Sequence, residues 1–182
     1  SLEFEQLPLP AGLELVVINS GITHQHAGGD YQTRRRESEA AARALGVERL
    51  RDAPPDALTR LSALPSLLAC RARHVISENA RVLEAREALL ATELTRLGTL
   101  FNASHASLRD DYEVSIEAVD LLVELAQHTP HVYGARMTGG GFGGAIVAAV
   151  ASGQAREVGR GVSRAYRERT SREAAVLIPA PP

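Results

Sequence analysis

Tyr133-Gly134-Ala135-Arg136-Met137-Thr138-Gly139-Gly140-Gly141-Phe142-Gly143-Gly144 runs straight into Ala145-Ile146-Val147-Ala148-Ala149-Val150, and its reading decides the fold. Five of the six residues from Gly139 to Gly144 are glycine, with Phe142 alone among them. Glycine has no Cβ, so such a loop can take positive φ and let another backbone or an anion approach closely. The seven apolar residues Ala145 to Ala151 are too few to cross a bilayer. Strand, tight glycine loop and buried strand is the expectation, with a mobile glycine linker as the alternative.

Downstream, the pattern predicts a helix capped by Ser152, with Ala155, Val158, Val162 and Tyr166 facing inward. A last strand, Ala174 to Ile178, precedes the stop Pro179-Ala180-Pro181-Pro182. Upstream, Ser115 is the expected cap of a helix with Glu117 in its first turn and Val119, Leu122, Val123 and Ala126 buried. Ser107 to Ser115 reads as a polar connection. Its Asp110-Asp111 could form an acid pair, although neighbours in one loop usually point apart. Helices are expected over 93–105, with Leu94, Leu97 and Phe101 inward, and over 66–91. In the longer one Leu68, Val75, Val82 and Leu89 recur every seven residues, widened by Ala72, Ile76, Leu83 and Leu90. His74 and His105 read as hydrogen-bonded structural residues. Before that lie a short helical piece between Pro54-Pro55 and Pro65, and a helix from Tyr31 to Leu45, started by Asp30 and stopped by Gly46. Arg34-Arg35-Arg36 on that helix suits a solvated face, with a phosphate-binding arginine as the sharper alternative. Asn19 to Asp30 is a polar loop. Its His24 and His26 lack partners at metal-ligand spacing, so no metal site is expected. Strands are expected at Leu2 to Leu7 and at Leu13 to Ile18.

The order of elements predicts an α+β fold: helices on one face of a small, mostly antiparallel sheet. At 182 residues the chain can bury a full core. A net charge of −2 argues against a general nucleic-acid binder or a polybasic membrane protein. All 20 basic residues are arginine, which excludes lysine chemistry within the chain. One cysteine, Cys70, permits no internal disulfide and no cysteine-based zinc site, and fits a reduced, cytoplasmic setting. A strand already under way at Leu2, without an initiator methionine, predicts a piece of a longer polypeptide.

Gly134 to Gly144 resembles the third conserved motif of the GHMP sugar kinases, the superfamily of galactokinase, homoserine, mevalonate and phosphomevalonate kinases. The form with Arg136-Met137-Thr138 ahead of the glycines is similar to the galactokinases in particular. Three further stretches agree, in the family's order: Asn19-Ser20-Gly21 through Gly29-Asp30-Tyr31 with Arg34-Arg35; Arg71-Ala72-Arg73-His74-Val75; and Ser104 to Ser115. The departures are Ala145, where the family often has cysteine, and Ser115-Ile116-Glu117 in place of Ser-Cys-Pro. Nothing resembles the family's sugar-binding Arg/Glu/Asp cluster, its Gly/Ser-rich phosphate loop or its catalytic aspartate, all of which lie in an N-terminal half.

The resemblance implies a GHMP kinase C-terminal domain over 1–182 with a ferredoxin-like core, and with 1–30 as the end of the N-terminal domain and the domain junction. It implies an enzyme that transfers the γ-phosphoryl of ATP, with Mg2+ bound mainly by the N-terminal half, to the 1-hydroxyl of galactose. No catalytic residue and no metal ligand is expected in this chain, and the chain alone is expected to be inactive. Tyr31 falls where the family places a sugar-contacting tyrosine, local packing being its plainer role. Gly139, Gly140, Gly141, Gly143 and Gly144 are expected to support the nucleotide phosphate loop. Galactose, ATP and the N-terminal domain are the implied partners, with no nucleic acid and no membrane. A non-catalytic sugar- or nucleotide-binding regulator and one half of a split kinase stay open as alternatives.

Overall fold

The computed structural model describes residues 5–22 and 27–179. Along β1 (Leu13–Asn19), Val16 and Ile18 enter one apolar cluster while Leu13 and Leu15 enter another, as side chains alternating across a strand must. β1 pairs antiparallel with β3 (Ala145–Ala151), which pairs antiparallel with β2 (Val132–Thr138). On its other side β1 carries β4 (Ala175–Leu177), so the spatial order is β2-β3-β1-β4. With the order strand, helices, two strands, helix, strand, this is the ferredoxin-like α+β arrangement. No helix among the described residues is long and apolar enough to cross a membrane.

Among the described residues five α-helices accompany the sheet: α1 (Ala27–Leu45), α2 (Ser66–Leu90), α3 (Leu94–Asp110), α4 (Glu117–Gln127) and α5 (Ala155–Thr170). Two 3-10 segments, Leu50–Asp52 and Pro55–Ala63, join α1 to α2. α4 and α5 cover one face through Val119, Leu122, Val123, Ala126, Ala155, Val158, Val162 and Tyr166, all buried as their periodicity predicts. They meet Val16, Ile18, Ala135, Met137, Ile146, Ala148 and Val150 of the sheet. Leu13 and Ala149 on the other face meet Ala88 of α2 and Leu97 of α3. A third cluster joins Ala41, Ala42 and Leu45 of α1 to Leu50, Leu61 and Ala72.

α3 lies along the outer side of β2. A Cβ at Gly98 would stand 2.0 Å from the Tyr133 carbonyl oxygen, and one at Gly134 would stand 2.1 Å from the Gly98 carbonyl oxygen. The two backbones touch, and only glycine permits it at both positions. The contact brings Asn102 and His105 alongside β2. Asn102 Oδ1 accepts from the Ala135 N–H at 2.9 Å, and His105 Nδ1 accepts from the Met137 N–H at 3.4 Å. Helix side chains thus take the place of a further strand.

Several elements differ from the expectation. α1 begins at Ala27, so Gly28 and Gly29 are helical and Asp30 sits in the first turn rather than capping it. A glycine costs only about 1 kcal/mol in a helix, and an acid in the first turn favours the dipole. α3 runs on to Asp110, absorbing the start of the polar connection. Ser115 does not cap α4; its hydroxyl donates to Asp120 Oδ1 at 2.5 Å. Nor does Ser152 cap α5, where Glu14 Oε2 accepts from the Ala155 N–H at 3.1 Å. The apolar stripe on α2 fails in its second half: Val82, Leu83 and Leu90 are 59%, 64% and 57% exposed, while Arg71 and His74 are buried. Glu5 to Pro10 form no strand; the rest of the expected first strand, and the pair His24 and His26, lie outside the described residues.

Gly98→Ala should destabilise the fold by about 3 kcal/mol, the upper end of ordinary overpacking, because backbone opposes the new methyl. Gly161→Ala on α5, where a Cβ meets nothing within 4 Å, should instead stabilise by about 0.5–1 kcal/mol. Urea unfolding of both variants checks the opposite signs.

Candidate functional site

The hairpin loop between β2 and β3 takes four left-handed glycines, with φ +89° at Gly139, +88° at Gly141, +138° at Gly143 and +85° at Gly144. It is gripped at two points. The Phe142 N–H donates to the Val114 carbonyl at 2.6 Å. Gly144 faces the segment that follows β1: Ser20 donates to the Gly144 carbonyl through its N–H at 2.9 Å and its hydroxyl at 2.8 Å. In return the Gly144 N–H donates to the Ile22 carbonyl at 3.0 Å. Ahead of both grips, Gly139 and Gly140 are exposed, and among the described residues a Cβ on either would meet nothing within 4 Å.

Val114 owes its place to buried charge. Arg71 of α2 is 1% exposed and engaged through all three guanidinium nitrogens. Its Nε donates to Glu37 Oε2 at 2.7 Å, its Nη1 to the Asp111 carbonyl at 2.5 Å, and its Nη2 to Glu113 Oε2 at 2.7 Å. Burial works against the charged guanidinium, but the bonds to Glu113 and Glu37 outweigh it and raise its pKa. The same bond to Arg71 pulls the Glu113 carboxyl below its usual range. Arg34 of α1 adds a second fork, from Nε to the Tyr112 carbonyl at 2.7 Å and from Nη2 to the Glu113 carbonyl at 3.0 Å. The α3–α4 connection is therefore held by two arginines from two other helices.

His74 lies beneath this connection. Its ring stacks on Tyr112 at 4.5 Å, and its Nδ1 is 3.0 Å from the Ser107 hydroxyl. That hydroxyl gives its one proton to Asp111 Oδ2 at 3.0 Å, so His74 is the donor and carries its proton on Nδ1. Burial, partly offset by Glu78, lowers its pKa from 6.5 to about 4. His105 also serves a structural bond, on β2, with its Nε2 3.3 Å from Asp120 Oδ1. For the Asp120 carboxyl, burial works upward, and His105 and Ser115 more than reverse it. Asp110 and Asp111 point apart, to Arg109 and to Arg73 and Ser107 respectively. Among the described residues no three His, Cys, Asp or Glu side chains are grouped to hold a metal ion.

Residues 85–168 match the family described as GHMP kinases C terminal. Over those residues the chain carries a GHMP kinase C-terminal domain. It is 46% identical over 175 residues to a galactokinase of Actinobacillus pleuropneumoniae, covering 93% of this chain and 46% of that protein. A Haemophilus influenzae galactokinase is 48% identical over 153 residues, covering 81% of this chain and 40% of the relative. The chain thus spans about half the length of the curated relatives it matches. Among solved structures, the galactokinase of Lactococcus lactis complexed with galactose superposes with a TM-score of 0.90 at 34% identity, over 98% of this chain and 48% of that one. The L. major mevalonate kinase in complex with R-mevalonate has a TM-score of 0.64 at 23% identity, over 97% of this chain and 44% of that one, and shows the fold alone.

In the folded chain the four stretches singled out in the sequence converge. Ser20, Arg34, Arg71 and the Asp111–Val114 connection all bear on the glycine loop directly or through one neighbour. Tyr31 stands one turn before Arg34 on α1, 59% exposed, in a shallow groove with Arg35, Ser38, Glu39 and Tyr112. The glycines are not equivalent. Gly141 has positive φ and no room, since a Cβ there would lie 2.6 Å from the Val114 carbonyl oxygen; Gly140 has neither constraint. Sequence reasoning missed Val114, which looks like any apolar residue, and the roles of Asn102 and Phe142. A lone large residue amid five glycines was the available signal for Phe142.

Gly141→Ala should cost about 2 kcal/mol or more from left-handed strain and overlap, whereas Gly140→Ala should stay within about 0.5 kcal/mol of the parent. Chemical denaturation compares them directly. Stability should also fall with acid. His74 has a folded pKa below its unfolded one, so its contribution is full above about pH 6.5 and is lost between there and about pH 4. The loss amounts to about 3 kcal/mol at 1.36 kcal/mol per unit. His74→Asn, whose amide can replace the Nδ1 donor, should flatten the stability curve in that window.

Proposed function

We propose that the chain serves as the C-terminal domain of a galactokinase, which transfers the γ-phosphoryl group of ATP to the 1-hydroxyl of galactose. The reading rests chiefly on the glycine loop, braced from beneath and open at Gly139 and Gly140. Similarity to galactokinases over 93% of the chain supports it. In the reaction the sugar oxygen attacks the γ-phosphorus, the bond to the ADP oxygen breaks, and a base takes the hydroxyl proton. Such chemistry depends on positioning and charge stabilisation. Base, phosphate cradle and magnesium site belong to the other half of the enzyme. The open backbone at Gly139 and Gly140 gives the phosphate-binding loop a surface on which to rest. Gly141, Gly143 and Gly144 shape that surface.

Tyr31 is the sugar contact in this reading. Its exposed ring and hydroxyl offer an apolar face and one hydrogen bond, a combination that suits a hexose. The domain occupies residues 1–182. The end of the N-terminal domain and the junction fall within 1–30, and the place of β1 inside the sheet supports a junction ahead of Leu13. The substrates and the free Cys70 thiol fit a cytoplasmic enzyme.

The test joins this chain to the N-terminal half of the Actinobacillus pleuropneumoniae galactokinase. The chimera should release ADP in a galactose-dependent manner, while the chain alone stays at background. In the chimera Tyr31→Phe should raise the galactose KM about two- to tenfold, the worth of one neutral hydrogen bond, and leave the ATP KM unchanged. A folded chimera without galactose-dependent ADP release would sink the reading. Unchanged galactose kinetics in Tyr31→Phe would remove Tyr31 from the site.

A further inference from the structure

We propose that Arg34 is the positioning residue of the glycine loop: it couples the buried charge network of the helices to Phe142 and thereby sets the loop's shape. Phe142 is the residue that needs explaining. It has a φ of +60°, a conformation that costs a non-glycine residue about 1 kcal/mol or more, in a loop where glycine is otherwise used throughout. Its side chain is 8% exposed and belongs to the main apolar cluster, so the loop is anchored by a ring at its centre. Val114 and Arg34 both reach that anchor. The Val114 carbonyl accepts from the Phe142 N–H, and the Arg34 guanidinium lies over the ring at 5.9 Å from its centroid.

The brace behind Val114 has no regular structure of its own. Glu113 has a φ of +53°, and the connection keeps its course because its carbonyls are taken by side chains. Arg71 takes the carbonyl of Asp111, and Arg34 takes those of Tyr112 and Glu113. Of the two arginines, Arg34 reaches both the brace and the loop. Arg71 in turn shares Glu37 and Glu113 with it: Arg34 Nη1 is 3.2 Å from Glu37 Oε2, and Nη2 is 3.4 Å from Glu113 Oε2. The geometry calls for a guanidinium. Three nitrogens in one plane reach two carbonyls and a carboxylate while a flat face meets an aromatic ring; an ammonium offers one point charge. The loop's placement stands on this geometry alone. That the placement serves nucleotide phosphates rests on the proposed function.

Hydrogen exchange of backbone amides, measured on this chain as it stands, separates the two. Arg34→Lys keeps the charge and loses the fork. It should speed exchange at the Phe142 and Val114 amides by about ten- to hundredfold, the worth of charge-assisted hydrogen bonds, and leave Ile146 and Ala148 of β3 protected. Phe142→Leu should loosen the loop while Val114, whose N–H donates to the Leu108 carbonyl, stays protected. Arg43→Lys, exposed on the same helix, should change neither. Unaltered Phe142 exchange in Arg34→Lys, or equal acceleration throughout the sheet, would overturn the proposal. In the chimera the same Arg34→Lys change should raise the ATP KM and leave the galactose KM alone. Selective loosening of the loop with unaltered ATP kinetics would uphold the positioning role and count against phosphate support.

Discussion

One guanidinium, that of Arg71, is the interaction on which the upper part of the molecule depends. It sits on α2, where the helical pattern calls for a leucine, and gathers Glu37 of α1, the Asp111 carbonyl and the Glu113 carboxylate into one cluster. Without it α1 and α2 would still share an apolar contact through Ala41, Ala42, Ala72 and Ile76. The connection between α3 and α4, however, would lose its course. A buried charge is costly to desolvate and is tolerated only when it is paired and hydrogen-bonded, so the cluster fixes geometry more than it adds stability. Arginine suits this place because it stays charged at any working pH.

The glycine loop divides its residues between two duties. Gly141 and Phe142 face inward, against Val114, and are held by contact; Gly139 and Gly140 face outward and, among the described residues, are held by nothing but their neighbours. A loop built this way is stiff where it meets its own domain and bare where another chain segment can approach. The strain at Phe142 is offset locally by its hydrogen bond and by ring burial. Carbonyls and amides form much of the surface presented, and that surface depends on backbone course rather than side-chain identity.

Much of this was legible in the sequence, because the signals were periodic. α4 and α5 announced their buried residues correctly, and the apolar stretches of β1 and β3 gave the sheet. Caps were less legible: Ser115 and Ser152 are good cap residues, but Asp120 and Glu14, distant or off-pattern, decided both cases. The stripe on α2 misled for a physical reason. That helix leaves one apolar cluster before joining another, so Val82 and Leu83 fall between cores while Arg71 and His74 take interior positions. Contacts through main-chain carbonyls, such as that of Val114 with Phe142, carry no side-chain signature and cannot be read from residue types.

The seating of α3 on β2 has a consequence for the molecule's behaviour in a crowded solution. An unprotected outer strand is a template on which a second chain can add, and strand addition of this kind leads to fibrils. Here the amides of Ala135 and Met137 are already taken by Asn102 and His105. At the opposite margin, β4 offers only three residues, Ala175–Leu177, to a would-be neighbour. The sheet is thus blunted at both ends, by a helix on one side and by brevity on the other. A change at Gly98 or Gly134 that lifted α3 away would expose a seven-residue template.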